Sequence, residues 1–134
     1  MSNKTNNKIY IAGPMTGYKN FNFDAFNEAA AILRDAGWTV FNPAEKESEK
    51  GLDDEARLTG DAAAAIEKGF DFREVYLWDV AKVIESGAIL MLEGWEKSAG
   101  AVGEISVAKA VQRHYPDYQI FYSIEEISQI KKAA

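Results

Sequence analysis

Asp79 and Glu104 are the two acids whose positions suggest chemistry, because each interrupts an apolar helical stripe. Advancing about 100° per residue from Ala101 lines up Ala101, Ile105, Ala108 and Val111, and Glu104 falls between Ala108 and Val111 on the same face. Asp79 follows Tyr76 by three residues and precedes Val83 by four, inside the stripe of its own helix. An ionised carboxylate taken out of water needs hydrogen bonds, a cation or a catalytic purpose. Two such acids near one crevice can divide a bond cleavage between them: one stabilises or traps developing positive charge, and the other gives or takes a proton. Each acid also has an ordinary structural alternative. For Glu104 it is the helix dipole, and for Asp79 it is an ion pair with Arg73 or Lys82.

The elements that must position these acids follow from periodicity. Residues 88–92, Ala-Ile-Leu-Met-Leu, have strand length; Gly94 then turns the chain into a small-residue helix carrying Glu104, with Ser98 where an N-cap belongs. The Asp79 helix opens at Asp71, with Phe72, Tyr76, Val80, Val83 and Ile84 expected on one face. The two acids therefore sit on the helices flanking one strand. Upstream, residues 8–12 form a short β-rich run that breaks at Gly13-Pro14-Met15-Thr16-Gly17. This loop lacks the Gly-Lys-Ser/Thr ending of a Walker A sequence and does not by itself mark a phosphate cradle. Phe23, Phe26, Ala30 and Leu33 recur at helical spacing up to Gly37, with Asn22 as the expected N-cap, and residues 38–41 make a second strand. Strand, helix and strand form a βαβ unit with a right-handed crossover.

The run Glu45-Lys46-Glu47-Ser48-Glu49-Lys50 reads as a solvated loop or helix, and residues 61–68 as a short helix covering a site. Residues 118–122 read as a last strand, after which Ser123 and Glu126 form a capping box that opens a terminal helix. The alternation predicts an α/β fold: an open, parallel, doubly wound, flavodoxin- or Rossmann-like sheet of four to five strands with helices on both faces. Ligands of such sheets bind beyond the carboxyl ends of the strands, where residues 13–17 and 94–104 both fall.

Composition narrows the chemistry. The 134 residues, 47% hydrophobic and 27% charged, are enough for one domain with a real core, residues 1–7 being a polar tail. A net charge of -6 gives no general attraction to nucleic acid polymers or anionic membranes. With no Cys and a single His, thiol catalysis, disulfides and Cys-based zinc sites are excluded. His114 stands at a helix end before Pro116, where a solvated or dipole-satisfying role is the ordinary one. Neither a signal-peptide core nor a run of about 20 apolar residues occurs, so the expected compartment is the cytoplasm.

Tyr10-Ile11-Ala12-Gly13-Pro14-Met15-Thr16-Gly17, an Asp on the helix before the middle strand, and Ser98-x-Gly100-x-x-x-Glu104 after it together resemble the nucleoside 2-deoxyribosyltransferase-like superfamily. The chain looks most like its small, often phage-encoded members, which carry similar Gly-Pro-Met-Thr-Gly and Gly-Trp-Glu-x-Ser segments. The resemblance covers roughly residues 8–122 and implies that Glu104 is a nucleophile toward the sugar C1′ and that Asp79 contacts the leaving base. It places Tyr10, Gly13, Pro14, Met15 and Gly17 beside base and sugar, and Ser98 and Gly100 in the substrate site. Transferases of this superfamily typically have Asp where this chain has Ser98, whereas nucleoside 5′-monophosphate N-glycosidases have Ser contacting phosphate. The glycosidases' phosphate-loop arginines are not evident in residues 13–17, and Lys19 is a candidate substitute.

The resemblance thus implies hydrolysis of the N-glycosidic bond of (deoxy)nucleoside 5′-monophosphates, with no metal or other cofactor and with a nucleotide or nucleoside as the small-molecule partner. Base exchange between nucleosides is the alternative, and non-catalytic nucleotide sensing a second one. It also implies a homodimer or larger homo-oligomer, for which Trp78 and Trp95 could supply surface or simply cap the core.

Overall fold

A computed structural model describes residues 6–127. Most of the expected N-terminal tail, and any continuation of the terminal helix past Ile127, lie outside these residues.

Four parallel strands form one sheet in the order β2-β1-β3-β4: β1 is Lys8–Ala12, β2 Thr39–Phe41, β3 Ala88–Met91 and β4 Gln119–Phe121. Tyr10 pairs with Phe41 on one side and Ile89 on the other, so β1 is central. This is the flavodoxin-like order, with its switch point between β1 and β3, where connections leave in opposite directions and a crevice opens. The central strands β1 and β3 are buried on both faces, as parallel strands covered by helices must be. Ile9 and Ile11 join a core with α1 (Phe23–Asp35), through Phe26, Ala30 and Leu33. Tyr10 and Ala12 point the other way, toward Ala101, Ile105 and Ala108 of α6 (Ala99–His114). Among the described residues no helix is long and apolar enough to cross a membrane.

Between β2 and the long helix α5 (Phe72–Glu85) the chain folds into three short helices, α2 (Pro43–Glu49) in the run expected to be solvated, α3 (Asp54–Thr59), and α4 (Ala62–Glu67) where a short helix was expected. Each has a side-chain N-cap: Asn42, Asp53 and Asp61 accept from the backbone N–H groups of Ala44, Ala56 and Ala64. Ala44, Leu52, Ala56, Ala65 and Phe70 are buried with the first core. Helices of two turns are too short to show a stripe, so the segment reads as charged while its few apolar residues face inward.

Two local expectations are corrected. Asn22 does not cap α1 with its side chain; it has φ +60°, ending a left-handed run Asn20-Phe21-Asn22, and its side-chain amide donates to Pro14 O at 3.0 Å. On α5 the sheet-facing ridge is Val75, Asp79 and Val83, spaced by four, whereas Tyr76, Val80 and Ile84 are exposed.

Candidate active site

At the C-terminal ends of β1 and β3 the backbones come close enough that a Cβ on Gly13 would meet Leu92 Cβ at 2.8 Å, so position 13 admits no side chain without displacement. The loop that follows is tied to the short helices by Gly17 N donating to Gly60 O at 2.8 Å. Between this loop, α2, α5 and the first turns of α6 lies a cleft of about 530 Å³. Tyr10, Gly13, Pro14, Met15, Asp79, Ser98, Gly100 and Glu104 all line it. Gly17, also implicated by sequence, is not among its walls; at φ +86° it turns the loop toward Gly60 instead.

Glu104 and Asp79 are 8% and 4% exposed. Both come inward for the reason read in the sequence: their helices present that ridge to the sheet. The buried Tyr10 hydroxyl donates to Glu104 Oε2 at 2.9 Å. Asp79 lies beside the same pair, and its Oδ1 is buried with no hydrogen-bond partner. Asp79 makes no ion pair with Arg73 or Lys82; Lys82 bridges Glu85 at 2.9 Å.

Burial is the main influence on all three groups. It pushes the Asp79 carboxyl up to about 7, against the hydrogen bonds from Tyr10 and Glu104. Burial, then the Asp79 charge, raises Glu104 well above the usual carboxylate range, and the Tyr10 hydrogen bond opposes that rise. The Tyr10 phenol is also raised, by burial and then by the two acids. Burial and mutual repulsion both disfavour two negative charges here, so the pair tends toward one acid beside one carboxylate.

Ser98 caps α6, its Oγ accepting from Ala101 N at 3.2 Å, which leaves its hydroxyl hydrogen free to donate. Among the described residues Lys97, beside it, is the one cation lining the cleft, whereas Lys19 is not part of its walls. Adjacency to Ser98 was the signal for Lys97.

Sequence reading also missed Glu47. It is 4% exposed on the buried side of α2, lines the cleft, and leaves Oε1 without a hydrogen-bond partner. Burial, then the Asp79 charge, pushes it up to about 8. Its neighbour three residues before, buried Ala44, was the available hint. The far wall includes Phe21, a bulky residue held at φ +49°, a strained conformation worth about 1–3 kcal/mol.

Among the described residues no set of three acids or histidines is disposed to hold a metal ion. A second cavity, of about 600 Å³ between α1 and the end of β3, contains none of the three buried acids.

Residues 7–115 match the model of a family described as a domain of unknown function, DUF4406. No curated protein matches the chain, and no solved structure does.

Proposed function

The chain belongs to the DUF4406 family, and we propose that it hydrolyses the N-glycosidic bond of (deoxy)nucleoside 5′-monophosphates, releasing free base and sugar phosphate. The observation that carries this reading is the buried set Tyr10, Glu104 and Asp79 in a cleft that also holds a capped helix N-terminus and Lys97. The resemblance to the nucleoside 2-deoxyribosyltransferase-like superfamily points the same way.

Phosphate binds at the N-terminus of α6, where free backbone N–H groups, the Ser98 hydroxyl and the Lys97 ammonium all favour an anion. This sets C1′ against Glu104. The Glu104 carboxylate attacks C1′ as the C1′–N bond breaks, the bonding electrons leave with the base, and Asp79 gives its proton to the base. Positive charge developing on the sugar favours the ionised form at Glu104, so the shared proton resides on Asp79 as the bond breaks. In the second step Asp79, now ionised, takes a proton from water as that water attacks C1′. The ester to Glu104 breaks, its carboxylate is restored, and the sugar phosphate departs with retained configuration. Tyr10 keeps the nucleophile aimed and favours its charged form.

The test is direct: purified protein is incubated with a panel of nucleoside monophosphates, and free base is measured by chromatography. Release by the wild type and its loss in Glu104→Gln is the expected result; no release from any member overturns the reading. Adding a second free base to the same assay separates hydrolysis from transfer, since a transferase yields a new nucleotide.

A homo-oligomer belongs to the same proposal. Tyr76, Leu77, Val80 and Ile84 form an exposed apolar stripe on α5, Leu77 being 76% exposed. Tyr76 also lines the cleft, so a second copy packed on that stripe borders the site.

A further inference from the structure

The proposed reaction employs Tyr10, Asp79 and Glu104 and leaves a third buried acid without a task. Glu47 is more than nine-tenths buried, faces the cleft, and has an orphaned Oε1; Asp79 Oδ1, on the helix that α2 packs against, is orphaned as well. No cation is at hand for Glu47. Its neighbour Lys46 bridges Glu49 at 3.1 Å and lies over the Trp78 ring, and Lys97 belongs to the α6 wall. The acids are not disposed as metal ligands either. A buried acceptor without a protein partner is costly to maintain, and a ligand's N–H group relieves it.

The hydrolase reading, on which this step rests, settles which part of the ligand arrives there. Phosphate sits at the start of α6, C1′ at Glu104, and the base at Asp79, leaving Glu47 to meet the edge of the base. Of that edge only an exocyclic amine or a ring N–H can donate. In the proposed reaction Asp79 gives its proton to a ring nitrogen, so the group beside that nitrogen is what Glu47 reads. We infer that Glu47 accepts a hydrogen bond from an exocyclic amine adjacent to the ring nitrogen that Asp79 protonates, so that the site selects amino bases of the cytosine or adenine type over their keto counterparts. In uracil or hypoxanthine a carbonyl oxygen takes the place of the amine; ionised Glu47 then faces a second acceptor, so the preference is expected in full above about pH 8, where Glu47 has lost its own proton. A site built to pair a particular donor rejects the analogue lacking it far more strongly than an apolar pocket rejects a missing methyl group.

The experiment uses matched pairs, cytidine against uridine and adenosine against inosine monophosphates in ribo and deoxy forms. Base release by the wild type is measured alongside calorimetric binding of the intact nucleotides to Glu104→Gln. At least one amino member is expected to exceed its keto partner by about tenfold or more, both in kcat/KM and in affinity. Glu47→Leu, which removes the acceptor at similar volume, is expected to bring the ratio near one, and Glu47→Gln, whose amide turns to donate to a keto oxygen as readily as it accepts from an amine, is expected to narrow it. Equal treatment of both members by the wild type, or a ratio that survives Glu47→Leu, overturns the assignment of Glu47 and leaves hydrolysis standing. Amino-selective binding without release by the wild type ends the hydrolase reading and keeps the assignment; binding of no member ends both.

Discussion

The Tyr10 hydroxyl, at the middle of the central strand, donates a 2.9 Å hydrogen bond to Oε2 of Glu104 on the first turns of α6. That bond favours ionised Glu104 against a burial that disfavours it. Removing the hydroxyl in Tyr10→Phe therefore raises the Glu104 pKa further. The acid limb of the pH–rate profile for base release moves to higher pH, and kcat falls by about 10–100-fold with the fold intact. An unmoved acid limb would show that Tyr10 does not act through Glu104.

Glu104→Gln and Asp79→Asn separate the two acids. Glu104→Gln is expected to lower base release by about a thousandfold or more, whereas Asp79→Asn is milder for monophosphates whose base departs readily. Both variants keep the native circular dichroism spectrum, since each replaces a buried ionisable group with a neutral one of the same shape.

Ser98→Asp distinguishes capping from phosphate binding. Aspartate caps a helix as well as serine does, so thermal stability is retained. A second negative charge at the anion site, however, is expected to raise KM for monophosphates by about 10–100-fold while leaving binding of unphosphorylated nucleosides nearly unchanged. Equal losses for both would remove phosphate from this end of the cleft.

The buried acids make stability depend on pH in an unusual direction. Asp79 is raised from 3.8 to about 7, and Glu47 from 4.5 to about 8, so between those values the native state holds more protons than the unfolded chain. The slope of unfolding free energy with pH is then negative: the contribution is complete only below about pH 4, falls through the mildly acidic range, and is lost as pH passes about 7 to 8. Glu47→Gln relieves part of this, on the order of 3 kcal/mol at about pH 8 and little at about pH 4.5. Differential scanning calorimetry is expected to show a Tm gain of several degrees at the higher pH alone. A gain that is the same at both pH values would mean that Glu47 is not a buried acid.

Leu77→Asp tests the α5 stripe. Light scattering is expected to give a dimer or larger mass for the wild type and a lower mass for the variant, because a charge is placed in the centre of an apolar contact. A wild-type mass of one chain removes the oligomer from the proposal.

Much of this arrangement was legible in the sequence, and the limits have physical causes. The middle strand, the α6 cap and the inward turn of Glu104 follow from a sixteen-residue helix whose periodicity has room to repeat. Asp79 was found inside its helix, but the stripe around it was misassigned. Residues 75, 79 and 83 and residues 76, 80 and 84 form parallel ridges, both largely apolar, and only packing decides which one meets the sheet. Glu47 was hidden in a run of charged residues on a seven-residue helix, where its inward direction depends on the docking of α2 against α5. The left-handed turn Asn20-Phe21-Asn22 was likewise invisible, since Asn tolerates that conformation locally but Phe adopts it only when the fold holds it there.

Gly13 packed against Leu92 makes the cleft adjustable on one side only. The strand-end floor is fixed by Gly13 lying against the Leu92 side chain, so accommodating a larger or differently decorated base falls to the roof supplied by Pro43 and Glu47 of α2 with Phe72 and Tyr76 of α5. Members of this fold that diverge in preferred ligand are therefore expected to differ in that roof while keeping the floor unaltered, and directed evolution toward new ligands should begin there.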